Sequence, residues 1–467
     1  MKTIITRELL DYLKSIQFLG LICLTVLLFT ANGLSFRDKY SQELDLYSKR
    51  MAEAYKNPST VKAMLYRQPA LLSFISEGGD EESPPGYVLS PKGTIGPLPA
   101  GPRNFKLPDL PEPDWAFIIK IVFSLYAVLL GYGAVSGEKE QGTLRQTLAN
   151  PVSRSRLLAA KYTAIVLTLI IPLLTGMLIS LIIVSFYMPQ VFAAGILHKV
   201  LLIFLLSFLY LSIFALFSLL LSSVIHQSSL VLLTLLTVWI LFAVMIPNAS
   251  GILAERFSRV PGEFQMAKQV GPMIKQTVWN RIKSLVDKFS EGEIKTEEEL
   301  HLQADRVFEE GREELSRHIK LYENAMKQRQ RTGRNISRIS PSALFQYAAE
   351  DISGTGPDRE EDFLQDTRTY SAVYDEYILK KVGKLVAGGY FSFAYGGDLR
   401  NGKYIIVTTP SPEEYQGDKS DFPRFSESSL SISRSLQHAL LDISGLVLWN
   451  LALSILAFAA FSRSDVR

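Results

Sequence analysis

The sequence predicts a mainly α membrane protein: a six-helix transmembrane bundle, led by an amphipathic interfacial helix and carrying a large, mostly helical extracytoplasmic domain with one small β-hairpin. Three observations predict it. Apolar residues make up 48% of the 467 residues while charged residues still reach 20%, a mixture that joins membrane spans to sizeable polar parts. Six apolar runs are long enough for a hydrocarbon core that needs roughly 20 helical residues. Two long polar intervals separate them, and both fall on the same side by parity. The net charge of +3 is close to balanced, so no basic field points to nucleic acid.

Residues 1–17 form the leading helix. Ile5, Leu9, Leu13 and Ile16 recur at three- and four-residue spacing, with Arg7, Glu8, Asp11 and Lys14 on the other side, as in a helix that lies in the headgroup layer. The first span, 18–35, is followed by no small-residue cleavage pattern and is expected to be retained. Cys23, the single cysteine, lies inside it and is expected to be a small packing residue; one thiol excludes an internal disulfide or a cysteine metal cluster. The polar segment 36–113 starts helical (38–67) and ends Pro- and Gly-rich, which predicts an extended or irregular linker.

The second span, 114–135, opens with Asp114 and Trp115, the latter an interfacial anchor by type. The loop 136–156 follows, then the third span (157–188), the fourth (199–225) and the fifth (229–248). The large polar domain, 249–435, contains long amphipathic helices over 266–289 and 297–330 and further helices over 342–351 and 358–382. Strand patterns at 390–395 and 404–409 flank a Gly-rich turn. The sixth span, 437–462, leads to the tail 463–467.

Orientation follows from the basic residues near the span ends. Lys2, Arg7 and Lys14, then Lys139, Arg145, Arg154, Arg156 and Lys161, then Arg463 and Arg467 all fall on one side, while the loop between spans 3 and 4 offers only Lys199. The basic side is expected to be the cytoplasm, with both termini there.

Catalytic constellations are not evident. Gly397 to Lys403 fits the first seven positions of a phosphate-binding P-loop, but Tyr404 stands where a magnesium-binding hydroxyl is needed and a strand pattern follows in place of a helix. Asn401-Gly402 between two β-branched and aromatic runs reads better as a hairpin turn. The histidines (His198, His226, His301, His318, His438) are scattered without metal-ligand spacing, and no G-x-S-x-G elbow is present. Lys120 and Asp442 sit a similar distance inside the outer ends of spans 2 and 6. They are candidates for an outer-end ion pair; the alternative is that each snorkels to the interface.

The loop carries the sharpest pattern: Ser136-Gly137-Glu138-Lys139-Glu140-Gln141-Gly142-Thr143-Leu144-Arg145, then Asn150-Pro151-Val152-Ser153-Arg154, then Lys161-Tyr162. Carboxylates open it where a helix dipole favours them, and Asn150-Pro151 ends it. This order resembles the intracellular loop of permeases of the type-2 exporter family of ATP-binding-cassette transporters. The six-span plan and the leading helix are similar to that family too. Ser340-Pro341-Ser342-Ala343-Leu344-Phe345, the run Ala348 to Gly356 and Phe363 resemble the subset with a large extracytoplasmic insert. The resemblance implies a non-enzymatic membrane subunit that binds no cofactor itself, ATP and magnesium being held by a separate cytoplasmic ATPase. It implies a coupling helix that seats in that ATPase, with Glu138, Lys139, Glu140, Gly142, Thr143, Leu144 and Arg145 as contacts. It also implies a second permease chain, identical or similar, in a bacterial inner membrane, and leaves room for an extracytoplasmic envelope protein as partner. The competing class is a membrane-anchored receptor or scaffold whose outer domain binds an envelope partner.

Overall fold

A computed structural model describes residues 2–78, 84–98, 113–149, 152–257, 263–386, 394–398, 404–408, 414–428 and 432–463. Six helices in it are long and apolar enough to cross a membrane: Ile16–Lys56, Trp115–Glu140, Arg154–Tyr187, Ala194–Val224, Ser228–Ala254 and Ile432–Arg463, here spans 1 to 6. One end of the bundle bears the short loop after span 2 (the loop side). The opposite end bears both polar inserts (the domain side).

The leading helix, Lys2–Leu13, is separated from span 1 by a break at which Ser15 caps the next helix, its hydroxyl accepting from Phe18 N at 3.2 Å. Span 1 then runs 41 residues without interruption, about 60 Å at the helical rise. Hydropathy alone stops it near residue 35. The helix continues because Phe36 and Tyr40 find apolar partners beyond the membrane-length stretch, with Phe36 on Phe74 at 5.1 Å between ring centres. Cys23 is exposed on this helix, a correction to its expected packing role.

Spans 1, 2 and 3 are fastened at the domain side by a buried polar relay. Trp115 Nε1 donates to Ser180 Oγ (2.9 Å), Ser180 Oγ to Asn32 Oδ1 (2.9 Å), and Asn32 Nδ2 to the Phe74 carbonyl (3.1 Å). Trp115 is therefore no interfacial anchor: it is fully buried, edge-on to Phe74. Gly176 lets spans 1 and 3 close up, since a Cβ there would sit 2.5 Å from the Phe29 ring. Spans 3, 4 and 6 meet around Ser212, whose Oγ lies 2.5 Å from the Tyr162 hydroxyl and donates to Asn450 Oδ1 (2.6 Å), while Asn450 Nδ2 donates to the Leu209 carbonyl (2.9 Å).

The domain side is built from both inserts. The first insert, expected to be helical over 38–67 and linker beyond, ends its helix at Lys56, before Asn57-Pro58, and then holds a three-stranded antiparallel sheet, Ala63–Tyr66, Gly86–Ser90 and Thr94–Pro97, with Ala63 opposite Leu89 and Val88 opposite Gly96. Its buried side chains, Leu65, Tyr87 and Leu89, share a core with Phe363, Tyr370 and Tyr374 of the helix Asp358–Val382. A second core joins the hairpin helices Glu263–Glu291 and Glu297–Ser337 through Ile274, Val278, Ile282, Leu300 and Phe308. Strands Ala394–Asp398 and Tyr404–Thr408 pair antiparallel, as the hairpin reading requires, with Asp398 opposite Tyr404. The Asn401-Gly402 turn itself lies outside the described residues.

The helix Pro341–Ser353 is the exception to a clean division. It comes from the second insert, yet Leu344, Phe345, Ala348, Ala349 and Ile352 belong to the core of the spans. Its cap, Ser340, and the left-handed Gly354 that ends it define a short rigid plug.

Candidate coupling loop and outer charge cluster

The loop is two short helices, Ser136–Glu140, which closes span 2, and Thr143–Ala149, where a single helix was expected. The break is at Gly142, whose φ of +72° is a left-handed conformation that a side chain resists. A Cβ at Gly142 would meet nothing within 4 Å, so backbone conformation alone demands glycine there. Asn150 and Pro151, the expected stop, lie outside the described residues.

The charged residues at the start of the loop turn toward the bundle. Glu138 Oε1 lies 2.8 Å from Lys161 Nζ, and the same ammonium lies 2.9 Å from Glu8 Oε1 of the leading helix. Lys161 is 1% exposed, and a lysine this deep in an apolar helix is tolerable only when paired and hydrogen-bonded. Lys139 Nζ donates to the Ser223 carbonyl at the end of span 4 (2.5 Å). Glu140 accepts from both the N–H (2.9 Å) and Oγ (2.8 Å) of Ser228, in the first turn of span 5. Leu144 is buried in the bundle core. Thr143 Oγ1 donates to the Glu138 carbonyl (3.4 Å) across the break. What the loop presents outward is its turn and the next helical face: Gln141, Gly142 and Arg145 are exposed. Beyond the loop, Arg154 Nη1 donates to the Phe461 and Ser462 carbonyls (3.2 and 2.9 Å) at the end of span 6, where a cation suits the helix terminus.

On the domain side the structure does not bring Lys120 and Asp442 together. Asp442 is fully buried and held by Arg338, Nε to Oδ1 at 2.6 Å and Nη2 to Oδ2 at 3.1 Å. The planar guanidinium matches a carboxylate with two parallel bonds, which an ammonium cannot do. Lys120 Nζ instead donates to Gln346 Oε1 (3.0 Å), and Gln346 passes its amide protons to Glu350 Oε1 (3.1 Å) and Ser76 Oγ (3.3 Å). The expected ion pair is thus corrected to two separate arrangements, both completed by residues of the second insert.

Around them, Arg334 reaches Asp351 (3.2 Å) and Glu350 (3.5 Å) and lies 4.3 Å from the centre of the Tyr347 ring. Burial pushes the Glu350 carboxyl up to about 7, although Arg334 and the Gln346 bond pull the other way. Asp351 is raised as well, by burial first. Sequence reading missed Arg334, Arg338, Gln346 and Glu350. A signal for two of them was present: Arg334 and Arg338 stand four apart on one helix face, just before the Ser340-Pro341 start of a helix that contains Glu350-Asp351. Glu8 and Ser228 had no comparable signal.

An apolar six-helix bundle with buried polar relays, a structured loop on one side and a composite domain on the other defines a multi-pass membrane protein. The family model described as "ABC-2 family transporter protein" matches residues 2–466. The chain belongs to that family and is a membrane permease component of ABC transporters. No curated protein matches it.

Proposed function

We propose that this chain couples ATP hydrolysis by a separate cytoplasmic ATPase to export, or to conformational work on the far side of a bacterial inner membrane. The loop 136–149 is the dock, and the loop side is the cytoplasm. The observation that carries this reading is the way the loop is anchored. Bonds from Glu138, Lys139 and Glu140 tie it to spans 3, 4 and 5, and Lys161 of span 3 carries the link on to Glu8 of the leading helix, so a push on it moves several helices as one body. In this reading the three charged residues are the anchors, Leu144 is the plug that seats the second helix, and Thr143 bridges the break. Gln141, Gly142 and Arg145 form the edge that meets the ATPase.

The second permease chain packs against spans 5 and 6. Their apolar windows are 17% buried within the chain, against 56% for spans 2, 3 and 4, which leaves broad apolar faces for lipid and for a partner. Co-purification tests the dock. Replacing the exposed Gln141 and Arg145 with Glu, which leaves Thr143 and the buried Leu144 in place, is expected to remove the ATPase while the permease still folds. Stoichiometric ATPase on that variant would sink the proposal.

A further inference from the structure

Spans 2 and 5 are joined at both ends. On the loop side the joint is Glu140 with Ser228, reinforced by Ser136 Oγ at 3.1 Å from Ser228 Oγ. On the domain side each span opens into a π-helical turn, Ile118–Phe123 in span 2 and Leu241–Met245 in span 5. A π-turn is wider than its neighbours, turns backbone carbonyls outward, and often marks a point where a helix changes direction or register.

Side chains occupy those carbonyls. The Lys120 carbonyl accepts from Ser124 Oγ (2.5 Å) and from the Tyr210 hydroxyl (2.9 Å). The Phe242 carbonyl accepts from Ser340 Oγ. Trp239 Nε1 donates to Ser124 Oγ (2.8 Å), lacing the two turns together. Tyr210 in turn lies 2.9 Å from Ser342 Oγ and stacks on Phe345 at 4.6 Å. Both turns therefore close on the first turn of the helix Pro341–Ser353. Ser340 does two jobs with one hydroxyl: its proton goes to span 5, while its oxygen accepts from Ser342 N (3.1 Å) and Ala343 N (3.4 Å) to cap that helix. Lys120 and Arg338 flank this seat with their bonds to Gln346 and Asp442.

We propose that spans 2 and 5 form a two-legged lever with the loop 136–149 as its foot and this seat as its head. Displacement of the foot reaches the domain-side helices through the two π-turns, with Ser340, Ser342 and Tyr210 as the positioning residues that pass it on. The inference rests on the loop being the ATPase dock.

The test uses the complete permease–ATPase complex in lipid nanodiscs on a Cys23→Ala background. Spin labels go at Lys283→Cys on the outer hairpin and Gln190→Cys beside the end of span 3, both exposed positions. The distance distribution is recorded without nucleotide and with ATP plus vanadate. The wild type is expected to change its distribution with nucleotide. Ser340→Ala combined with Tyr210→Phe is expected to shrink that change at least about threefold, as loss of two such bonds predicts, while ATP is still hydrolysed. Ser340→Thr, which keeps a hydroxyl, is expected to preserve it. Where the double variant unfolds, Trp239→Phe, which only unlaces the turns, supplies the same readout. A full nucleotide-dependent change in the variants overturns the lever, and so does a wild-type complex that hydrolyses ATP without any change. A permease that fails to hold an ATPase overturns the dock instead.

Discussion

Lys161 and Asp442 are both charges buried in apolar helices, one at each end of the bundle, and the chain satisfies them in opposite ways. Lys161 is one cation between two carboxylates, from the leading helix and the loop, so its cluster keeps a surplus negative charge. Asp442 meets one guanidinium in a bidentate pair. Around it Arg334 reaches Asp351 and Glu350, and Lys120 is bonded to Gln346. The loop-side cluster is unsaturated and borders an exposed edge, which suits a place where a partner arrives. The domain-side cluster is closed by paired and hydrogen-bonded groups, which suits a permanent seat for the helix Pro341–Ser353. The first holds the leading helix and the loop to the bundle; the second holds a domain to it.

The contrast breaks most directly at Lys161. Lys161→Met leaves Glu8 and Glu138 facing each other in a poorly hydrated site, and unfolding in detergent should show a loss of about 3–5 kcal/mol. Hydrogen exchange over 136–149 should rise with it. Unchanged exchange there would mean that Lys139, Glu140 and Leu144 hold the loop without Lys161. At the other end, a double-mutant cycle on Arg338→Ala and Asp442→Ala should give a coupling of about 1–3 kcal/mol. The same cycle on Lys120→Ala and Asp442→Ala should be additive. Coupling in the second cycle would restore the pair that the structure separates.

A smaller effect separates the clusters by pH. Glu350 has its carboxyl raised from the ordinary range to about 7, so the folded protein binds a proton that the unfolded chain has already lost between roughly pH 4.5 and 7. Its contribution is complete below the unfolded value and fades as pH rises through about 7, and Asp351 shifts in the same direction. Melting temperature should therefore fall by a few degrees from pH 6 to pH 8, and Glu350→Gln should flatten that slope. A slope that survives in Glu350→Gln assigns it elsewhere. The smallest expected effect is at the loop break. Gly142→Val, forced to positive φ, should cost about 1–2 kcal/mol locally and weaken ATPase retention without lowering the melting of the bundle. Gly142→Ala should do less.

Much of this was legible in the sequence because long apolar runs and helical periodicity are strong local signals. The six spans, the two long hairpin helices and the helix over 358–382 all came from that source. The loop was recognisable from its residue order, but its direction was not: nothing local says that Glu138, Lys139 and Glu140 face inward, because their partners Lys161, Ser223 and Ser228 come from other helices. The three-stranded sheet was missed, its first strand inside an expected helix and the other two in a Pro- and Gly-rich interval, because each strand is only four or five residues long and its partner helix lies about 280 residues further on. Trp115 and Asp442 were read by residue type at the ends of spans, where interfacial and snorkelling habits are the common outcome. Tertiary partners, Ser180 and Arg338, drew both inward.

The composite domain also sets an order of events in synthesis. Glu414 accepts from Ser59 Oγ at 2.6 Å, Glu427 from Gln68 N at 2.9 Å, and the Tyr374 hydroxyl donates to the Ser59 carbonyl at 2.9 Å, contacts that join residues more than 300 apart. Residues 57–98 leave the ribosome early, before their partners exist. Their small sheet must wait, with Leu65 and Leu89 uncovered, until four further spans have been threaded and the helix Asp358–Val382 has followed. Span 6, made after all of these segments, places Asp442 against Arg338, so the contact that locks the composite domain to the bundle is made late.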